Sequence, residues 1–196
     1  MSLALTRHPR TEGTSVMAPA MITSLREELS VEDGTFALGD RDDPDSPLYT
    51  VGAYPSPDST GLLATAPGFV AVTCGTGMGA VSLAVETWTG APPIDPDDWD
   101  EVAEVSFTPG ERQICVLRAD FDDREDIPLD LPPGGPTGSY RVRDCARDRD
   151  AGEDRGPEDP VETHRIQIWA APAEPDALVK TTDATGAMWR AHGDSA

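Results

Sequence analysis

The chain has 196 residues, 36 acidic and 15 basic, with a net charge of −21, 38% hydrophobic residues, 18 glycines and 19 prolines. That length suffices for one domain with a sizeable core. The charge excess disfavours nucleic acid and anionic lipid as partners, and no apolar run approaches the roughly 18 residues that span a bilayer.

Residues 1–28 carry no net charge, so the acidic excess belongs to the body of the chain and not to an acidic leader. A basic partner is one explanation of such a field. Solubility, or the composition of a salt-adapted or GC-rich genome, is the other, and a single lysine (Lys180) among 15 basic residues fits it. Three cysteines, Cys74, Cys115 and Cys145, are an odd number, lie in apolar runs and form no CxxC pair. They read as free thiols of a reducing cytosol, and the protein as cytoplasmic. No zinc site is expected, because His8, His164 and His192 are not spaced with them as ligands.

In chain order, residues 1–28 read as a disordered leader without a secretory h-region. Leu29, Val31, Phe36 and Leu38 start the β-structure, turned at Glu32–Gly34, and an acidic loop at 39–47 precedes a short edge strand at 49–54. GFVAVTC (68–74) and AVSLAVETW (80–88), joined by GTGMG, read as a hairpin. WDEVAEVSFT (99–108) and RQICVLRAD (112–120) are further strands. SYRVRDCAR and THRIQIWA form an antiparallel pair around a charged loop at 147–162. In the first, Tyr140, Val142 and, after a shift, Cys145 alternate with Arg141, Arg143 and Asp144. In the second, Ile166 and Ile168 alternate with Arg165, Gln167 and Trp169. A short helix is expected near 176–190, weakened by Gly186.

Chemistry is harder to locate. CGTGMGA has the glycine density of a phosphate loop, but a valine-rich strand follows it where a helix N-terminus is required. Asp148, Asp150 and Asp154 approach a calcium-loop rhythm, yet Gly152 falls early and Arg147, Arg149 and Arg155 are interleaved. His164 reads as a residue on the polar face of its strand, without a nucleophile beside it, so no catalytic constellation is expected.

WDEVAEVSF, GSYRVR and VETHRIQIW, in that order and spacing, resemble a group of acidic β-proteins of actinobacteria. More distantly the chain is similar to competence protein J, the acidic inhibitor of a DNA-entry nuclease, in which a G-x-Y strand, a loop and a D-T-x-x-I strand recur near the C-terminus. Over residues 29–170 the resemblance implies an inhibitor or immunity-type protein, and it assigns no functional residue.

The fold expected is all-β, an antiparallel β-sandwich of about eight strands with long acidic loops. Its bounds are 29–171, followed by a tail at 172–196. The interior is expected to hold Val70, Val72, Leu83, Val85, Val105, Phe107, Ile114, Val116, Tyr140, Val142, Ile166 and Ile168. The function expected is a non-enzymatic binding protein, with no cofactor and no metal, docking on a basic protein such as a nuclease. The candidate contact residues are Asp95, Asp97, Asp98, Asp120, Asp122 and Asp123, whose loops lie either at opposite ends of a strand pair or over one rim. A calcium- or small-ligand-binding sandwich is the alternative.

Overall fold

In the computed structural model, residues 17–43, 45–49, 55–110, 113–119, 122–134, 138–152 and 161–193 are described. Residues 1–16 of the expected leader, residues 50–54 of the expected edge strand, Asp120 and Asp154 lie outside them. The strands are β1 (Met21–Val31), β2 (Thr35–Gly39), β3 (Leu63–Ala66), β4 (Phe69–Thr73), β5 (Gly79–Trp88), β6 (Glu101–Phe107), β7 (Cys115–Leu117), β8 (Ile127–Pro128), β9 (Tyr140–Arg147), β10 (Thr163–Ala170) and β11 (Ala177–Thr181). Among the described residues two α-helices accompany them, α1 (Arg149–Gly152) and α2 (Ala184–Gly193).

The strands form two sheets, ordered β1-β5-β10-β9-β6-β11 and β3-β4-β2-β7-β8. One continuous core fills the space between them, and every residue expected in the interior lies in it. Alternation explains most of this. Along β5, residues from Gly79 to Trp88 switch strictly between buried and half-buried positions, as a period of two demands. β9 is instead buried on nearly its whole length. Its inner face meets the core. On its outer face Arg143 binds Glu104 through Nε at 2.7 Å and donates to Pro92 O at 3.0 Å, while Arg141 donates to Glu174 O and Pro175 O. Two coil segments are thus tied down over the larger sheet by its own arginines.

Several expectations are corrected. The β-domain begins at Met21 and not at residue 29, because β1 pairs with β5 from Met21 opposite Trp88 to Val31 opposite Gly79. The strands number eleven among the described residues, not about eight. The larger sheet is mixed rather than purely antiparallel, since β10 runs parallel to β5. The hairpin expected of 68–74 and 80–88 does not form. β4 is paired on both edges, by β2 and β3, so the chain crosses through 74–78 to the other sheet. The tail is also structured: β11 extends the larger sheet beside β6, and the expected helix starts only at Ala184.

The β9–β10 pair does form as expected, but without the shift. Its register is unbroken from Thr163 opposite Arg147 to Ala170 opposite Tyr140. Unbroken register sends Asp144 inward with Tyr140 and Val142, and turns Cys145 outward against Trp99 and Val102.

Candidate functional site

Parity places a charged group in the core. His164 lies two and four positions before Ile166 and Ile168, so the same strand face carries all three. The residue expected on the polar face is therefore fully buried, 0% exposed. Its ring is gripped from both sides. Nδ1–H donates to Asp144 Oδ2 at 2.7 Å, and Nε2–H donates to Glu162 Oε1 at 2.8 Å. Asp144 and Glu162 are likewise 0% exposed. Burial alone would push the imidazole pKa down, but attraction to Asp144 and the hydrogen bonds hold it well above the ordinary value. Burial pushes Glu162 up, and the bond to His164 with the donors of Thr76 brings it below the ordinary value.

The glycine-rich crossover completes this centre. Gly75 N donates to both Glu162 oxygens at 3.0 and 3.2 Å, and Thr76 N donates to Oε2 at 2.8 Å. The turn that resembles a phosphate loop does bind an anion, and the anion is the protein's own carboxylate. Only glycine fits at 75, where a Cβ would stand 1.8 Å from Arg149 O. Cys74, at the end of this loop's entry strand, brings its Sγ to within 4.8 Å of ligand atoms of Glu162 and His164. Its thiol is pushed up by burial.

A second charged layer adjoins the first. Arg149, 0% exposed, sets Nη1 3.1 Å from Asp183 Oδ2 and donates from Nη2 to Gly61 O at 2.9 Å. Glu101, on the inner face of β6, pairs with Arg190 of α2, and Arg190 Nη1 also donates to Thr60 O at 2.8 Å. Asp183 caps α2 through Gly186 N at 2.7 Å, the usual work of an N-cap carboxylate. One end of the sandwich is thus closed by paired ions and by α2.

The five described candidate aspartates do not form one patch. Asp95, Asp97 and Asp98 lie in a single 3₁₀ turn before β6, exposed, with Asp95 Oδ1 accepting from Asp97 N. This turn neighbours β11, since Lys180 donates to Pro96 O at 2.9 Å. Asp122 sits instead beside β1, at the opposite edge of the same sheet, where Arg124 pairs with both it and Glu27. Arg124 binds Asp122 at 2.8 Å, and its hydrogen bonds hold the Asp122 carboxyl down to about 2. Asp123 is exposed next to it. Asp122 is thus held in an ion pair, unlike the exposed Asp95, Asp97 and Asp98.

Of the three aspartates with the calcium-loop rhythm, Asp148 and Asp150 are among the described residues. Asp150 is occupied in accepting from Ala184 N and Thr185 N at the start of α2, both at 2.9 Å. Asp148 donates its backbone N–H to Asp100 Oδ2 at 2.9 Å, and its own carboxylate is exposed beside Arg147. Among the described residues, the one grouping of three metal-ligating side chains is Cys74, Glu162 and His164. The expectation that no histidine lies near a cysteine is thereby overturned: strand pairing joins residues that sequence spacing keeps apart.

No family model matches the chain, and no curated protein matches it. Among solved structures it is similar to "Crocagin biosynthetic gene J", with a TM-score of 0.46 and 18% identity over 79% of this chain and 99% of that one. Neither the resemblance to competence protein J nor that to an actinobacterial group is supported by these comparisons.

Proposed function

We propose that the chain is a non-enzymatic binding protein that docks a basic partner along the β11 edge of its larger sheet. The observation that carries this reading is the composition of that edge. Among the described residues β11 is the last strand of its sheet, and it exposes Leu178 and Val179 at 47% and 42%. The exposed Asp95, Asp97 and Asp98 flank it through the Lys180–Pro96 contact. An open edge offers unpaired backbone groups to an added strand. Apolar contact gives such an interface affinity, and the aspartates speed encounter with a basic segment. A nuclease cleft, built to hold phosphate, belongs to that class of partner, which keeps an inhibitor or immunity-type role within the proposal. The thiol, imidazole and carboxylate that would serve a hydrolase are shut inside the core, at 5%, 0% and 0% exposure for Cys74, His164 and Glu162, which supports binding over catalysis.

The test is capture of partners from the native cell, followed by association kinetics on the purified partner. Asp95→Asn/Asp97→Asn/Asp98→Asn is expected to slow association and to flatten its dependence on salt, while Val179→Lys is expected to speed dissociation. An unchanged on-rate in the triple variant, over low and physiological salt, would overturn acidic docking.

A further inference from the structure

The buried Cys74–Glu162–His164 centre has the chemistry of a metal site, and we propose that it binds one zinc-class divalent cation through Cys74 Sγ, Glu162 Oε1 and His164 Nε2. The three donor atoms lie within 4.8 Å of one another. Across a tetrahedral ion with bonds of about 2.0–2.3 Å, ligand atoms stand roughly 3.3–3.8 Å apart. The 2.8 Å between Nε2 and Glu162 Oε1 therefore has to open by about half an ångström, and a separation near the 4.8 Å limit has to close by about one ångström.

What distinguishes this cluster from a chance meeting of three residues is the shell behind it. A metal-bound histidine characteristically gives its other ring nitrogen to a carboxylate, which fixes tautomer and orientation. Asp144 does this at 2.7 Å from Nδ1, leaving Nε2 as the position for an ion. A ligating carboxylate also needs its own orienting donors, and Gly75 N and Thr76 N supply them to Glu162. Gly152 keeps the approach close, because a Cβ there would stand 2.6 Å from Thr76 Oγ1 and 2.9 Å from Glu162 Oε2. Asp144 Oδ1 is buried without any hydrogen-bond partner, so this carboxylate is committed to the ring through Oδ2 alone.

The donor set selects the ion. One sulfur, one nitrogen and one oxygen suit zinc or cobalt(II), whereas calcium and magnesium require shells of oxygen. Binding exchanges protons for metal: the thiol releases its proton to become a thiolate ligand, and the proton between Nε2 and Glu162 leaves as the ion enters. Arg149 is no competitor for the carboxylates, being held by Asp183 and Gly61 O. Because the ligands come from β4's exit, β10 and the residue preceding it, the site exists only once the two sheets have met, so the ion enters with folding.

The test refolds the full chain from denaturant with cobalt(II) or zinc(II), then removes loosely held ion with a mild chelator. Wild type is expected to keep about one ion per chain. It should also show the near-ultraviolet thiolate-to-cobalt charge-transfer band and melt higher with zinc than without it. Cys74→Ser is expected to lose the band, Glu162→Gln to weaken retention, and the positioning change Asp144→Asn to weaken zinc by about tenfold to a hundredfold. Cys145→Ser removes a buried thiol elsewhere and should change none of these readouts. If a variant does not fold, the wild-type spectrum still decides: absence of the charge-transfer band in refolded wild type, or its persistence in Cys74→Ser, overturns the proposal.

Discussion

Strands β9 and β10 pass from hydrocarbon into charge along a single face. At one end Tyr140, Val142, Ile166 and Ile168 fill the sandwich; at the other, in unbroken register, stand Asp144 and His164. The apolar half gains free energy in proportion to the area it removes from water. The ionic half gains little net energy, because desolvation of buried charges consumes most of their attraction. The difference shows which half supplies stability and which half fixes geometry: two carboxylates, a ring and a thiol are held in one arrangement by backbone N–H groups and a glycine-lined close approach.

The most severe break is in the apolar half. Val142 is 0% exposed and opposed by Val105 and Ile168 on its two neighbours. Val142→Asp is expected to cost more than about 4 kcal/mol, since a carboxylate there has no partner. A thermal or denaturant melt reads this directly, and a variant that melts with the parent would mean that residue 142 does not face the core.

The core was legible because each strand's apolar residues follow a period of two, and that pattern is local. The sheet to which a strand belongs was not legible. β4 and β5 are both valine-rich and joined by glycines, and nothing in GTGMG distinguishes a hairpin from a crossing between sheets. The glycines there serve close packing: Gly79 alone of the three has a positive φ, at 144°, while Gly75 makes room for Arg149. The site was partly legible. His164 shares parity with Ile166, and Asp144 shares it with Val142, so two polar residues at inward positions of adjacent strands were a signal in the sequence. A shift at Cys145 would turn Asp144 outward and hide that parity, and the register has none. Cys74 carried none, being 90 positions from His164 until β4 and β10 face each other.

The second break is in the ionic half, where removal of one partner should cost more than removal of both charges. Arg149→Met leaves Asp183 buried and unpaired, an expected loss of about 3–5 kcal/mol. Adding Asp183→Asn keeps a side-chain oxygen to cap α2 at Gly186 N and removes the stranded charge, so the double variant is expected to recover part of that loss. Denaturant melts of the two single variants, the double variant and the parent form the cycle. Strictly additive losses would show that the pair is not coupled and that the ionic half behaves like ordinary core.

The smallest effect concerns protonation at the rim of the ionic half. Burial first, and the Asp183 charge second, push the Glu101 carboxyl up to about 7 from an ordinary value of 4.5. The folded protein therefore holds this proton more tightly than the unfolded chain does. A raised folded-state pKa gives a contribution that is fully present below the unfolded value and is lost as pH rises through the folded one. For Glu101 the window is 4.5 to about 7, so its deprotonation should lower the melting temperature over that interval. His164 carries the same sign, its loss coming at a pH well above the ordinary histidine value. Glu162, held below its ordinary value, carries the opposite sign and loses its contribution only as the solution becomes acidic. Glu101→Gln keeps an oxygen for Arg190 and removes the titration. Melts of parent and variant below pH 4.5 and above pH 7 separate these contributions. The variant is expected to gain on the parent by a few degrees at the higher pH. An equal pH dependence in the two proteins would place the Glu101 carboxyl in solvent and not in the buried layer beneath α2.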